Sequence, residues 1–146
     1  MVSKVFEYVI LAKFTHLFDT DSLQFSFRHG VGCGDALFTV KSVINHFTSN
    51  GCTVNVAALD ISKAFDRISQ YALFSKLIER NFPVQLINMF TSWHSKSFVK
   101  VKWKDKTSES FQVKAGVRQG GVLSPFLFAI YIEDIIKELK AQKRVV

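Results

Sequence analysis

Two short stretches of this chain hold the side chains best able to do chemistry. The first is ALDISKAFD, residues 58–66, with carboxylates at Asp60 and Asp66. A carboxylate that ends a buried strand stands at the edge of a sheet, where a divalent cation can sit above an apolar core. Magnesium takes oxygen ligands in octahedral geometry, commonly one or two carboxylates completed by phosphate oxygens and water. Asp60 is the candidate for that position, and its plain alternative is to cap the turn that follows. Asp66 lies beside Arg67 and near Lys63, which points to a local hydrogen bond or ion pair rather than to metal ligation.

The second stretch is AGVRQGGVLSPFLFAIY, residues 115–131. Gly116, Gly120 and Gly121 surround Arg118 and Gln119 just ahead of Ser124-Pro125. Glycine lets a backbone approach a ligand closely, and a helix N-terminus favours negative charge. Arg118 suits a phosphate, whereas the Gln119 amide offers both a donor and an acceptor to a base or sugar. An ordinary glycine-rich turn into a buried helix is the competing reading.

The elements that must position these residues read as a mixture of helices and short strands. Residues 4–18 place Phe6, Val9, Ile10, Phe14 and Leu17 at helical spacing, and Thr20-Asp21-Ser22 breaks the pattern. GVGCGD opens a second helix, with Asp35 as a cap and Leu37, Val40, Ile44 and Phe47 on one face. Asn50-Gly51 stops it, since both residues tolerate a left-handed backbone. The apolar run TVNVAALD predicts a buried strand from Val54 to Leu59, ending at Asp60. Ser69 caps a helix to Arg80, and Pro83 suits the first turn of another ending near Trp93. FVKVKW and ESFQVKA alternate as a hairpin about Lys104-Asp105-Lys106-Thr107. Ser124-Pro125 starts a last helix reaching about Lys140. One unit without an internal boundary is expected.

Composition excludes several classes. The 146 residues are 48% hydrophobic and 21% charged, which is globular material rather than a disordered or collagen-like chain. Phenylalanine is unusually frequent at 15 residues. Cys33 and Cys52 are too few for a disulfide framework or a four-cysteine zinc site, so a reducing intracellular compartment is expected. No apolar run approaches the roughly 20 residues of a membrane helix. The apolar start of the chain is bracketed by Lys4 and Lys13 and interrupted by Glu7, unlike a signal peptide. Residues 1–73 hold six basic and six acidic groups, so the net charge of +7 falls in residues 74–146. Five lysines lie between Lys96 and Lys106, an asymmetry compatible with a polyanionic partner such as nucleic acid.

D-I-S-K-A-F-D followed some fifty residues later by G-V-R-Q-G-G-V-L-S-P resembles the reverse transcriptase family, in particular its non-LTR (LINE-like) retrotransposon members. VFEYVI resembles that family's helical entry segment, and QFSFRHGVGCGDAL its Gln-x-Gly-Phe-Arg fingers motif. The similarity runs from about Ser3 to Lys140. It implies an α+β fold that is part of a right-hand polymerase: fingers-type helices over about 1–50 and an incomplete palm over 51–146. Asp60 then matches the palm aspartate that ligates both magnesium ions, and the carbonyl of Ile61 a second metal contact. Phe65 matches the bulky residue beneath the incoming sugar, where an aromatic ring leaves no room for a 2′-hydroxyl; its plain alternative, in a chain with fifteen phenylalanines, is a core residue. Gln119 and Gly120 match the loop against the nucleotide and template base; Arg118, just before them, is a candidate for phosphate or template contact, and Arg28 falls in the fingers motif that approaches template or nucleotide. The implied partners are an RNA template, a DNA primer and deoxynucleoside triphosphates, with no membrane.

Departures accompany the match. Ser26 stands where glycine is usual, and Gly32-Cys33-Gly34 replaces a more polar stretch. Tyr131-Ile132-Glu133-Asp134 imitates the family's Tyr-x-Asp-Asp motif but begins seven residues after Ser124, inside the expected last helix. The true motif belongs on a later hairpin, beyond Val146. The chain is therefore expected to be a fragment of an RNA-directed DNA polymerase that is inactive by itself. The alternative is a non-catalytic nucleic-acid-binding remnant of a degenerate element.

Overall fold

Capping chemistry sets several of the helix boundaries in the computed structural model, which describes residues 2–28 and 30–142. Helix α1 runs Val2–Lys13 and passes into a 3-10 turn at Thr15–Leu17. Helix α2 spans Cys33–Ser49, α3 Gln70–Glu79, α4 Val84–Ser95 and α5 Ser124–Ala141. Ser69 precedes α3, and its hydroxyl accepts from the Ala72 amide at 3.4 Å. Pro83, with φ of −53°, precedes α4, and its carbonyl accepts from the Leu86 amide at 2.9 Å. Asn50 closes α2, followed by Gly51 at φ +77°. These starts and stops match the sequence expectations.

Residues group into two compact units. One comprises the stretch up to Phe18 together with Lys63–Tyr131, and the other Asp19–Ser62 together with the stretch from Ile132. The sequence reads as one unit, but its buried apolar residues do not spread evenly. The core cluster of Ile10, Phe18, Ile68, Leu73, Leu77, Phe82, Leu86, Phe90, Val117, Leu123, Leu127 and Ile130 belongs wholly to the first unit. Phe18 meets Phe82 edge-on with ring centroids 5.3 Å apart, and also meets Phe126 at 6.1 Å. Such tilted pairs add to the area they bury. The buried stripe of α1 centres on Glu7 and Ile10, so Phe6 and Val9 stay exposed although their spacing suggested an inward face.

In the second unit, α2 starts with Asp35 accepting from the Gly32 amide at 2.8 Å. None of its residues is buried, and Leu37, Val40 and Phe47 face solvent. The predicted buried strand Val54–Leu59 is corrected here: residues 52–61 carry no regular structure, and Val56 and Leu59 are exposed, Leu59 at 93%. An apolar run becomes a strand only where a neighbouring edge takes up its backbone groups. Among the described residues, the only ladders are two two-stranded pairs elsewhere in the chain.

Those pairs form one interrupted hairpin. Strand β1 (Phe98–Val99) pairs antiparallel with β4 (Phe111–Gln112), and β2 (Lys102–Trp103) with β3 (Lys106–Thr107). The turn is therefore Lys104-Asp105 alone, two residues tighter than expected, with Lys104 at φ +51°. Two-residue hairpin turns favour left-handed backbone at their centre. The mixture of helices and small antiparallel ladders agrees with the α+β expectation. Among the described residues no helix is long and apolar enough to cross a membrane.

Candidate nucleotide and nucleic-acid site

The glycine loop of residues 115–123 is stitched to the turn that follows Asp60 in sequence. Residues 62–66 turn around Lys63, whose φ is +55° and whose carbonyl accepts from the Asp66 and Arg67 amides. The Val117 amide donates to Phe65 O at 2.9 Å, and the Gly116 amide to Ile68 O at 2.8 Å. Gly116 is buried at φ +84°, and a β-carbon there would lie 2.7 Å from Phe65 O. Its glycine serves the approach of residues 65–66 rather than of a ligand. Gly120 also has a positive φ, +76°, but opens onto free space.

Side chains complete the stitching. Gln119 Nε2 donates to Asp66 Oδ1 at 2.7 Å. Arg118 Nη1 donates to the Ser3 hydroxyl at 3.1 Å, and the Ser124 hydroxyl donates to Arg118 O. Glu7, only 3% exposed, accepts from the Leu123 amide through Oε2 at 3.0 Å. Leu123 is the first carbonyl of α5, since Leu127 N donates to it at 2.9 Å. A carboxylate at that place satisfies an orphan amide and meets the positive end of the helix dipole. The sequence reading missed Glu7 as a site residue and expected Ser124-Pro125 to supply the helix start. A signal was present: Glu7 shares the stripe of Ile10, Phe14 and Leu17 at helical spacing.

A cavity of about 520 Å³ opens beside this loop, with Arg118, Gln119, Glu7 and Asp66 among its polar walls and Trp93 and Leu127 among its apolar ones. Phe65 is half-buried, its ring 5.1 Å from that of Phe128 and packed on the core cluster. It thus has the core role weighed for it, with part of the ring still accessible. Asp66 does engage in a hydrogen bond, but the donor is Gln119, 53 positions along the chain, where the sequence pointed to its neighbours Lys63 and Arg67.

The remaining candidates lie in the second unit. Asp60 and Ile61 are both exposed on the irregular segment. Arg28 is half-buried, and its Nη1 donates to Ser22 O at 3.0 Å within its own loop. In that loop Phe27 has φ +59°, and Gln24 is 3% exposed with neither amide atom hydrogen-bonded among the described residues. His29 of the QFSFRHG stretch lies outside the described residues. Asp21 accepts from the Leu23 amide at 2.9 Å and from Lys140 Nζ at 2.7 Å. The Leu23 hydrogen bond first, then Lys140, holds its carboxyl below the ordinary aspartate range.

Asp60 and the Ile61 carbonyl offer oxygen, the right chemistry for a hard cation. Among the described residues, however, no group of three or more His, Cys, Asp and Glu side chains gathers to hold a metal. The donors present do not by themselves make up a two-ion site.

Comparison with known proteins agrees with the motif order. A family model described as reverse transcriptase (RNA-dependent DNA polymerase) matches residues 1–146. The probable RNA-directed DNA polymerase from transposon X-element of Drosophila melanogaster is 30% identical over 138 residues, which is 92% of this chain and 15% of that protein. The RNA-directed DNA polymerase from mobile element jockey of the same species is 32% identical over 112 residues, covering 77% of this chain and 12% of that protein. The Pol polyprotein from retrotransposable element R2DM, also from that fly, is 27% identical over 84% of this chain and 12% of its own length. The chain thus spans about an eighth of these relatives' length. With its whole length matched by the family model, this chain belongs to the reverse transcriptase family and resembles its non-LTR retrotransposon members.

Proposed function

We propose that this chain supplies the deoxynucleotide-facing loop and one metal-facing aspartate of an RNA-directed DNA polymerase of a retrotransposon. Residues 1–50 serve as fingers and 51–146 as part of the palm. Gln119 and Gly120 lie against the incoming nucleotide and template base, and Phe65 beneath the sugar, where it selects against a 2′-hydroxyl. Asp60 and the Ile61 carbonyl are the residues that would contribute oxygen ligands to magnesium, an ion that would supply charge neutralisation once further carboxylates completed its site. Arg28 and Arg118 face the nucleic acid. RNA template, DNA primer and deoxynucleoside triphosphates are the partners.

The observation that carries this reading is the hydrogen bond between Gln119 and Asp66. It fixes the amide of the R-Q-G-G loop to the last residue of the D-I-S-K-A-F-D stretch, the two segments on which the family resemblance rests. The loop is therefore preorganised before any ligand arrives, and preorganised polar groups are what stabilise developing charge in a transition state.

Isolated, the 146 residues do not complete the implied two-ion site, because Asp60 is the only metal-facing carboxylate the family pattern assigns among them. Removing even one preorganised electrostatic element commonly costs about 100- to 1,000-fold in rate. Purified chain given a primed RNA template, magnesium and four deoxynucleotides is expected to add no nucleotides. Primer extension that disappears in Asp60→Ala would overturn the inactivity while supporting the role of Asp60. Extension that persists in Asp60→Ala would contradict both.

A further inference from the structure

The hairpin formed by β1–β4 has two faces of different chemistry, and its register shows how they are separated. Val99 pairs with Phe111, and Lys102 with Thr107. Two residues separate the ladders on the first strand and three on the second, so the second strand carries one extra residue. The Ser108 amide donates to Val101 O at 2.9 Å, which keeps the first strand continuous and puts the bulge at residues 109–110. Side chains of a continuous strand alternate between faces, and directly opposed residues share a face.

One face therefore carries Ser97, Val99, Val101 and Trp103, opposite Val113, Phe111, Ser108 and Lys106. Ser97, Val99 and Val113 from this face line the cavity beside the glycine loop. The other face carries Phe98, Lys100 and Lys102, opposite Gln112 and Thr107, with Lys104 following at the turn. Phe98 is 61% exposed. Between Lys96 and Lys114 there are six lysines against only Asp105 and Glu109. Among the described residues no carboxylate pairs with Lys100, Lys102 or Lys104. Three unpaired cations in a row beside an exposed aromatic ring are not needed to hold this hairpin together.

We propose that this lysine face is the binding surface for an extended single-stranded polynucleotide, with Lys100, Lys102 and Lys104 on successive phosphates and Phe98 stacked under a base. Alternate residues on a strand lie about 6.6–6.8 Å apart, a spacing comparable with that of phosphates along a stretched single strand. A basic track with an aromatic platform is the physical requirement for sequence-tolerant single-strand binding. The inference rests on the family reading, which implies a template, and goes further by assigning the surface that holds it.

The test is a fluorescence-polarisation titration of the 146-residue chain with labelled oligo(rU) and oligo(dT), repeated across a salt series. The triple variant Lys100→Gln, Lys102→Gln, Lys104→Gln is expected to lose on the order of 10- to 100-fold in affinity at 0.1 M salt, with a salt slope shallower by about 2. A charge-matched control, Lys4→Gln, Lys13→Gln, Lys41→Gln, is expected to stay close to the unsubstituted chain. Phe98→Ala is expected to lose roughly fivefold or more on single strands and little on a duplex. Circular dichroism checks that each variant is folded. Equal losses in the two triple variants, or none in the hairpin triple, overturn this surface and leave the family reading standing. Absence of binding by the unsubstituted chain at low salt overturns both this surface and template engagement by these residues.

Discussion

The side-chain amide of Gln119 donates to the carboxylate of Asp66 across 2.7 Å, joining residues 53 positions apart in the chain. Both side chains are exposed, so the bond is worth less than a buried one; hydrogen bonds to charged groups reach about 1.5–3 kcal/mol and exposed pairs fall below that. A double-mutant cycle with Gln119→Ala and Asp66→Ala, read by urea unfolding, is expected to give a coupling of about 0.5–1 kcal/mol. Strict additivity would show that the loop is held without this contact.

Glu7 caps α5 from α1. Replacing it with alanine removes a buried acceptor and leaves the Leu123 amide without its partner, at a cost of about 1–2 kcal/mol. Glu7→Gln keeps an amide oxygen in the same place and is expected to lose less than Glu7→Ala. Thermal unfolding with Glu7→Leu added, which keeps the bulk without the acceptor, separates capping from space-filling: capping predicts a loss like that of Glu7→Ala, space-filling a loss like that of Glu7→Gln.

Two glycines of the same loop separate strain from crowding. Gly120→Ala meets only the backbone penalty of a positive φ, about 1 kcal/mol. Gly116→Ala adds a collision with Phe65 O and the backbone of Asp66. It is expected to destabilise by about 3 kcal/mol or more. If urea midpoints place the two variants together, the close approach at Gly116 is not what selects glycine there.

Asp21 gives the pH dependence its sign. Its carboxyl is depressed by the Leu23 amide and by Lys140, so the ionised form favours the folded loop. That contribution is fully present above the unfolded aspartate value of about 3.9 and is lost as pH falls through the lower folded value. Carboxyl titration by NMR is expected to show Asp21 with a midpoint below ordinary aspartates. In Lys140→Gln, that midpoint moves up toward them.

How much of this was legible in the sequence follows from the range of the forces involved. Helix starts at Ser69 and Pro83 and the stop at Asn50-Gly51 were readable because capping is decided by neighbours in the chain. The strand expected at Val54–Leu59 was not, since an apolar run does not carry the neighbouring edge that would pair with it. Helical spacing puts Leu37, Val40, Ile44 and Phe47 on one face of α2, yet burial depends on what packs there, and Leu37 stays exposed. In the site, the motif order pointed to Gln119 and Gly120, whereas the Glu7–Leu123 contact spans 116 positions and had only a helical stripe to announce it. The glycine at 116 was legible as a glycine, but its reason, the backbone of residues 65–66, was not.

In the proposed function the loop bearing Gln119 faces a deoxynucleotide, with Phe65 guarding the sugar. A titration of the purified chain with fluorescent deoxynucleoside and ribonucleoside triphosphates in magnesium, alongside Gln119→Ala and Phe65→Ala, tests it most directly. The predicted result is saturable binding that prefers the deoxynucleotide, is weakened in Gln119→Ala, and loses its sugar preference in Phe65→Ala while the chain stays folded. Binding that shows no sugar preference, or that is unchanged in Gln119→Ala, would contradict it.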